Sequence, residues 1–410
     1  MKKKVLVRAP LLTISGYGVH SRQVFEWALS RKDFDVTAQC LPWGVTPWLI
    51  NGDHKSGLIG EIMNRSVDPN ALSGFDISFQ VQLPNEWDPN LAKFNVGLTA
   101  AVETDRCHPS WIQNCNSMDL VIVPSQHTKN VLVSSGNLTT PVVVVSESYY
   151  DVIDNPDLTP LDIDLKSNFN FLVFGQFTGN NPENDRKNLY YTVKWLCEEF
   201  EGNEDVGIVL KVNSGRATKI DKAVTSKTLT QLINQVRGEK KGPRIHLLHG
   251  NLSEEEVARL YLHPKIKAMV TLTRGEGFGL PILEAAASGL PVIATNWSGH
   301  MDFLCDEQGN EHFYNVHYDI QTVPPEVVWE NVIIPNSMWA NPREKSAKKL
   351  LRQCYEDYSG ENKAENIAKS NAYAEQLKIR FSQELLSSSF ALSQTIGDLP
   401  QKLENLILKR

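Results

Sequence analysis

The sequence has few cysteines, and none of them is spaced as in a metal or redox site. Six occur among 410 residues, at positions 40, 107, 115, 197, 305 and 354. None forms a CxxC pair, and none lies at zinc-ligand spacing from a pair of histidines. We therefore expect free thiols in a reducing compartment and no bound metal.

Long apolar runs and an excess of positive charge are also missing. No stretch approaches about 18 uninterrupted apolar residues, so we expect no transmembrane helix. The segment MKKKVLVRAP (1–10) holds too few apolar residues before Arg8 for a signal-peptide core. These features predict a cytoplasmic protein, with peripheral association with a membrane left open. The net charge of −7 argues against non-specific binding to nucleic acid.

The sequence does contain short apolar runs that alternate with helical patterns. Runs typical of buried strands lie at residues 5–7, 77–81, 95–102, 120–123 and 142–145, and again at 171–175, 207–212, 244–248, 268–273 and 292–294. Strand, helix and strand at this spacing predict parallel sheets covered by helices. With roughly 100–200 residues per domain, the length fits two domains. We predict an α/β protein with two doubly wound, Rossmann-like domains.

We place the domain boundaries where the alternation of strand and helix patterns is interrupted. The first domain covers residues 1–155. A stretch rich in Asp and Pro, residues 156–168, forms the linker. The second domain covers residues 169–358, and residues 359–410 form C-terminal helices.

The segment RGEGFGLPILEAAASGLPVIAT (274–295) follows a strand pattern and joins it to a short helix through a glycine-rich turn. Glycines at 277 and 279 allow positive φ and close approach of another group. Pro281 fits the first helical position, where no N–H is needed. The N–H groups of Phe278, Gly279 and Leu280 should then face outward beyond the strand's carboxyl end. Such a helix start is expected to bind an anion such as a diphosphate.

Two glutamates flank this turn and predict the rest of the ligand. Glu284, one turn into the helix, can accept two hydrogen bonds from a vicinal diol such as a ribose. Glu276, before Gly277, can reach a hydroxylated group beyond the phosphates. Neither carboxylate should touch phosphate, because like charges repel. A ligand with a diol, an anion and a second polyol in series is a nucleoside-diphosphate sugar.

A departing diphosphate also needs cations. Lys187 follows the first strand of the second domain, and Lys211 closes the strand GIVLKV; Arg186 is a further candidate. The turn SGYGVHS contributes Gly16 and Gly18 to the first domain. It does not complete GxGxxG, because Ser21 replaces the third glycine, and residues 36–42 contain no acid, so an NAD site is not favoured.

The stretch GEGFGLPILEAAASGLPVIAT resembles the E-x7-E signature of retaining glycosyltransferases with the GT-B fold, of the group 1 or family 4 type. The resemblance extends to MDLVIVPSQHTKNVLVSSG (118–136), to the FG ending of the strand at 171–175, to RKN (186–188) and to LSEEEVARLY (252–261). It implies two domains facing across a cleft, with the donor on the second domain and the acceptor on the first. It also implies that the C-terminal helices cross back to the first domain.

The resemblance further implies that Glu276 contacts the donor sugar and that Glu284 binds the ribose. A turn like that at Gly16 and Gly18 lies beside the diphosphate and the acceptor in the family. Glu103 stands where several relatives have a histidine, so it becomes a candidate contact to the acceptor or the sugar.

The sequence departs from the family at one point. Relatives carry Arg or Lys directly after the FG glycine, whereas this chain has Gln176 and the insertion TGNNPEND (178–185). Arg186 or Lys211 would then supply the second cation.

The expected function is transfer of a sugar to the hydroxyl of a glycan, a lipid-linked glycan or another acceptor, without a metal or other cofactor. The resemblance implies that the anomeric configuration is retained. Relatives with similar C-terminal segments often transfer mannose from GDP-mannose, so the resemblance favours a GDP-sugar over a UDP-sugar. Two alternatives stay open. One is a sugar-nucleotide epimerase on the same scaffold, and the other is a non-catalytic nucleotide-sugar binding protein, for which Gln176 is the supporting feature.

Overall fold

The computed structural model describes residues 2–68, 73–176, 181–213 and 217–392. Contacts between Cα atoms divide the chain into two compact units. The first unit takes in the residues up to Ala101, Cys107–Ser148 and the segment from Phe381 onward; the second takes in Val102–Arg106 and Tyr149–Arg380. Compared with the predicted boundaries, the linker and the residues from 359 to 380 lie with the second unit.

In the first unit the described strands form one parallel sheet. They are β1 (Lys3–Ala9), β2 (Phe34–Cys40), β3 (Phe75–Val81), β4 (Ala92–Leu98), β5 (Leu120–Val123) and β6 (Val142–Val144). Their order is β2-β1-β3-β4-β5-β6, and each neighbouring pair is parallel. The strand order therefore reverses between β1 and β3, as in a doubly wound sheet.

The second unit repeats this design in its described residues. Its parallel strands are β7 (Phe169–Gln176), β8 (Val206–Asn213), β9 (Arg244–Leu248), β10 (Ile266–Thr271), β11 (Val292–Thr295) and β12 (Tyr314–Val316), and an antiparallel pair is formed by β13 (Tyr318–Thr322) and β14 (Met338–Pro342). The parallel order is β9-β8-β7-β10-β11-β12. This is the Rossmann order, with its reversal between β7 and β10. The prediction of two doubly wound α/β domains is confirmed.

Helices cover these sheets. In chain order the described α-helices are α1 (Gly16–Ser30), α2 (Leu58–Asn64), α3 (Pro109–Asn116), α4 (Gln126–Ser134), α5 (Leu189–Glu199), α6 (Lys219–Arg237), α7 (Glu254–Tyr261), α8 (Leu280–Ala287), α9 (Met301–Leu304), α10 (Glu344–Ser359), α11 (Lys363–Arg380) and α12 (Gln383–Leu392). Within the described ranges, no helix is both long and apolar enough to span a membrane.

Local caps explain several helix starts. The sequence predicts that Ser125 is the N-cap of a helix, and its side chain does cap α4 by accepting a hydrogen bond from the Thr128 N–H. The sequence also predicts that Asn341 and Pro342 begin a helix, and this is wrong. Both residues belong to β14, which pairs with β13, so α10 begins only at Glu344.

Each unit has its own apolar core. In the first, Trp27 packs edge-on against Phe79 at 5.2 Å and stacks on Phe390 of α12 at 4.7 Å. In the second, alternate residues of β7 point to opposite faces of the sheet. Val173 joins the core cluster, whereas the ring of Phe174 lies 5.8 Å from that of Tyr261 on α7.

Candidate functional site

The predicted site residues of the second unit lie at the switch point of its sheet. The chain leaves β7 at Gln176 and β10 at Thr271, and these two strands are neighbours despite their separation in sequence. Ligands of open α/β sheets bind beyond the carboxyl ends of the strands where the order reverses. The loop before α5 and the turn before α8 both begin at this edge.

The loop before α5 is fastened to the end of β10. The Asn188 side chain, whose backbone is left-handed with φ 55°, donates to the Leu272 carbonyl at 3.0 Å. The Arg274 guanidinium donates to the Glu183 carbonyl at 2.9 Å, and the backbone N–H of Arg274 donates to the Arg186 carbonyl at 2.9 Å. These bonds hold the loop in place, and with it the cations that it carries.

Four predicted site residues form one ionic cluster, which we call the Glu276 cluster. Lys187 Nζ lies 2.7 Å from Glu276 Oε1, and an Arg186 nitrogen lies 3.3 Å from Glu276 Oε2. Arg186 also lies 3.5 Å from Glu103 Oε1 and donates to the Gly275 carbonyl at 2.6 Å. The structure thus brings together Glu103, Arg186, Lys187 and Glu276.

Electrostatics keep Glu276 ionised. Burial alone would raise the pKa of its carboxyl, but Lys187 and Arg186 more than offset this effect and lower the pKa to about 2. Burial lowers the pKa of Lys187, and Glu276 opposes that shift. Since two carboxylates face two cations, an incoming anion must compete with Glu276 for Lys187.

In the glycine turn before α8, the structure agrees with the prediction at Gly279 and corrects it at Pro281. Gly279 has a φ of 108°, which other residues rarely adopt. A Cβ on Gly275 would lie 2.1 Å from the Glu103 carbonyl oxygen. Pro281 is the second residue of α8 and not the first, because the helix begins at Leu280.

The start of α8 offers backbone donors. The N–H groups of Gly279 and Leu280 have no acceptor among the described residues. Phe278 is 3% exposed and its ring packs on Phe303, while the Gly277 carbonyl lies close against Gly299. The unpaired donors and the positive end of the helix dipole together favour an anion here.

Glu284 is in a very different environment from Glu276. It is 2% exposed, and the Tyr261 hydroxyl donates to its Oε2 at 3.0 Å. Burial raises the pKa of its carboxyl to about 8. Glu284, the residue that we predict to bind the ribose, is therefore a neutral carboxylic acid at pH 7, and it accepts a hydrogen bond from Tyr261.

Lys211 is not part of the Glu276 cluster. It lies near the end of β8, two residues before Asn213, and its Nζ donates to the Gly250 carbonyl at 2.7 Å and to the Asn213 side-chain oxygen at 3.2 Å. Burial lowers the pKa of its ammonium group to about 8. The candidates for the second cation were Arg186 and Lys211, and of these two Arg186 lies beside Lys187 in the Glu276 cluster.

Gly16 and Gly18 belong to the first unit, at the start of α1. A Cβ on Gly18 would lie 2.1 Å from the Thr13 carbonyl oxygen, whereas a Cβ on Gly16 would meet nothing within 4 Å. Ser15 caps the helix by accepting from the Gly18 N–H at 2.9 Å. Close packing therefore explains Gly18, and open space surrounds Gly16.

Sequence reasoning missed three residues that shape the site. Arg274 fastens the loop before α5, Ser298 accepts from the Glu276 N–H at 2.9 Å, and Tyr261 holds Glu284. The position of Arg274, at the end of an apolar strand and directly before GEGFG, is a signal that could have found it. Tyr261 fits the apolar face of its helix, so its hydroxyl gives no such signal.

Comparisons with known proteins agree with this fold. Residues 225–323 match the family of glycosyl transferases group 1. Sucrose-phosphate synthase from Thermosynechococcus elongatus has a TM-score of 0.60 at 13% identity, covering 99% of this chain and 100% of that one. The E. coli trehalose-6-phosphate structure has a TM-score of 0.59 at 8% identity, covering 95% and 98%. The chain is thus a protein of the GT-B fold.

One curated relative extends the match in sequence. Sucrose synthase from Melioribacter roseus is 25% identical over 209 residues, which is 50% of this chain and 24% of that protein. The chain thus spans about a quarter of the length of that relative. Residues 225–323, which match the family of glycosyl transferases group 1, include Glu276 and Glu284. The predicted resemblance to the group 1 GT-B glycosyltransferases is confirmed.

Proposed function

We propose that this chain is a retaining glycosyltransferase that moves a sugar from a nucleoside-diphosphate sugar to an acceptor hydroxyl without a metal ion. The Glu276 cluster at the start of α8 is the observation that carries the proposal. It combines two cations with a carboxylate that stays ionised, and the two unpaired N–H groups at the start of α8 are further donors. These are the groups that a departing diphosphate and a sugar hydroxyl each require.

In this mechanism the diphosphate takes the place of Glu276 as the partner of Lys187. Arg186 and the N–H groups of Gly279 and Leu280 share the negative charge that grows on the leaving oxygen. Glu276, released from Lys187, accepts hydrogen bonds from hydroxyls of the donor sugar. The carboxylate thereby orients the anomeric carbon, and this positioning is what makes attack efficient.

Retention needs attack on the face from which the diphosphate leaves. The acceptor oxygen forms its bond to the anomeric carbon as the bond to the phosphate oxygen breaks. The acceptor's proton passes to that phosphate oxygen. No carboxylate or imidazole is then required as a base, and cations with backbone donors replace a divalent metal.

The donor remains a choice between two nucleotides. The family resemblance favours a GDP-sugar with mannose, while the E. coli structure of similar fold is described as bound with UDP-2-fluoro glucose. We therefore place UDP-glucose beside GDP-mannose as the donors to test.

The first test incubates the chain with UDP-glucose, GDP-mannose and ADP-glucose and a panel of sugars and sugar phosphates. We expect released nucleotide together with a new glycoside whose anomeric configuration, read by NMR, matches the donor. EDTA should leave the rate unchanged. Donor isomerisation without transfer would favour the epimerase, and binding without turnover would favour the non-catalytic protein. A rate lost with EDTA and restored by Mg²⁺ would contradict metal independence.

Replacing Lys187 by methionine should weaken nucleoside-diphosphate binding by about 10- to 100-fold, the usual effect of losing a charged hydrogen bond. Isothermal titration calorimetry measures this change. Lys194→Met is the matched control, because Lys194 lies on α5 and pairs with Glu198 at 2.9 Å. If both variants bind the nucleotide like the unchanged chain, Lys187 is not a phosphate ligand.

A further inference from the structure

Lys211 has an unused donor at the edge of the sheet that carries the Glu276 cluster. Its ammonium group has three N–H donors. Two are taken by the Gly250 carbonyl and the Asn213 side-chain oxygen. No described residue accepts the third. Lys211 is only 8% exposed, so its ammonium group has little access to bulk water.

The groups around Lys211 form a polar cluster, which we call the β8–β9 cluster: Lys211, Asn213, His249, Gly250 and Asn251. Asn213 accepts from the Gly250 N–H at 3.0 Å and donates to the Asn251 side-chain oxygen at 3.2 Å. His249 Nε2 is buried without a hydrogen-bond partner in the described part of the chain. Burial and the nearby Lys211 both lower the pKa of His249. No described carboxylate hydrogen-bonds with Lys211.

Lys211 lies on the same face of the sheet as Glu284. Lys211 is the register partner of Phe174 on β7, so the two side chains share a face. The Phe174 ring contacts Tyr261, and Tyr261 holds Glu284. A row of side chains on this face therefore leads from Glu284, the residue predicted to bind the ribose, to Lys211.

The spacing along this row matches a nucleotide. In strand order β8 is two places from β10. Strands are about 4.8 Å apart, so the end of β8 lies roughly 10 Å from the end of β10. A nucleoside diphosphate with its phosphates at the start of α8 and its ribose at Glu284 would extend its base over this distance toward Lys211.

We propose that Lys211 donates to a carbonyl oxygen of the donor's base, which makes the base uracil or guanine and not adenine. The inference rests on the proposed function and specifies its donor. Uracil and guanine present exocyclic carbonyl oxygens to a cation. Adenine has no carbonyl oxygen. Its exocyclic amino group would turn hydrogens toward the ammonium group, so only its ring nitrogens could accept from Lys211.

Calorimetric titration of UDP, GDP and ADP tests the proposal. The unchanged chain should bind UDP or GDP at least about tenfold more tightly than ADP. Lys211→Met should weaken binding of the preferred nucleotide by about tenfold and change the affinity for ADP by less than about twofold. Lys187→Met provides the contrast, because loss of a phosphate contact should weaken all three nucleotides alike. Lys211→Gln serves as a second variant if the methionine variant unfolds, and the same pattern is expected of it.

Two outcomes overturn the proposal. One is equal weakening of all three nucleotides by Lys211→Met, which would make Lys211 a phosphate ligand. The other is ADP binding as tight as UDP and GDP in the unchanged chain. Failure of the proposed function gives a different result. Base-selective binding that depends on Lys211, without sugar transfer to any acceptor, would remove the transferase activity and keep the role of Lys211.

Discussion

Replacing Glu276 by glutamine should change turnover and nucleotide affinity in opposite directions. We expect kcat to fall by about 100-fold or more, because the amide cannot hold the donor sugar as the carboxylate does. We also expect a free nucleoside diphosphate to bind about tenfold more tightly. In the unchanged chain Glu276 occupies Lys187 at 2.7 Å and repels the diphosphate, and the variant removes both effects.

The Glu276→Gln variant should fold, so the effect can be measured on native protein. Arg186 keeps its contacts with Glu103 and with the Gly275 carbonyl, and the Lys187 side chain is 27% exposed and can reach water. Steady-state kinetics and calorimetry on the same preparation separate the two effects.

Glu183→Gln is the matched control for this prediction. Glu183 lies on the same loop as Lys187, and its side chain is 59% exposed beside Arg274. We expect the control to alter neither quantity. Weaker nucleotide binding in Glu276→Gln, or unchanged turnover, would contradict the role that we assign to this carboxylate.

Local patterns made much of this site predictable from the sequence. A glycine is needed where φ is positive, as at Gly279, and a proline suits the first turn of a helix, as at Pro281. Strand periodicity predicted five of the six strands in each described parallel sheet, missing β2 and β12, and Ser125 was recognisable as a cap. These features depend on neighbours within a few residues, which the sequence displays directly.

Features that depend on strand order could not be predicted in the same way. Lys187 and Glu276 are 89 positions apart, and they meet only because β7 lies beside β10. The sequence presents Lys187 and Lys211 as equivalent candidates, because each follows or ends an apolar strand. The pairing of the strands decides between them, by placing Lys211 one strand further from β10.

The acid pair shows the same limit. Glu276 and Glu284 look alike in the motif, yet the pKa of one is lowered to about 2 and that of the other is raised to about 8. Lys187 and Arg186 approach only the first. The second faces Tyr261, from a different helix. The difference in charge therefore comes from tertiary contacts and not from the motif.

The raised pKa of Glu284 predicts that the stability of the second unit falls as pH rises. An unfolded chain ionises this carboxyl near its ordinary pKa of 4.5, whereas the folded chain holds the proton until about pH 8. Between these values the folded state binds more protons, so the free energy of unfolding decreases with pH. At about 1.4 kcal/mol per pKa unit, the loss is on the order of 4 kcal/mol by pH 8.

Glu284→Gln should remove this dependence, because glutamine does not ionise and can still accept from the Tyr261 hydroxyl. We expect the variant to melt roughly 10 °C above the unchanged chain at pH 8 and within about 2 °C of it at pH 4. Differential scanning calorimetry at both values gives the comparison. Glu255→Gln on α7, whose side chain is 62% exposed, should show no such difference. A Glu284→Gln melting shift that is the same at both pH values would mean that this carboxyl is ionised in the folded protein.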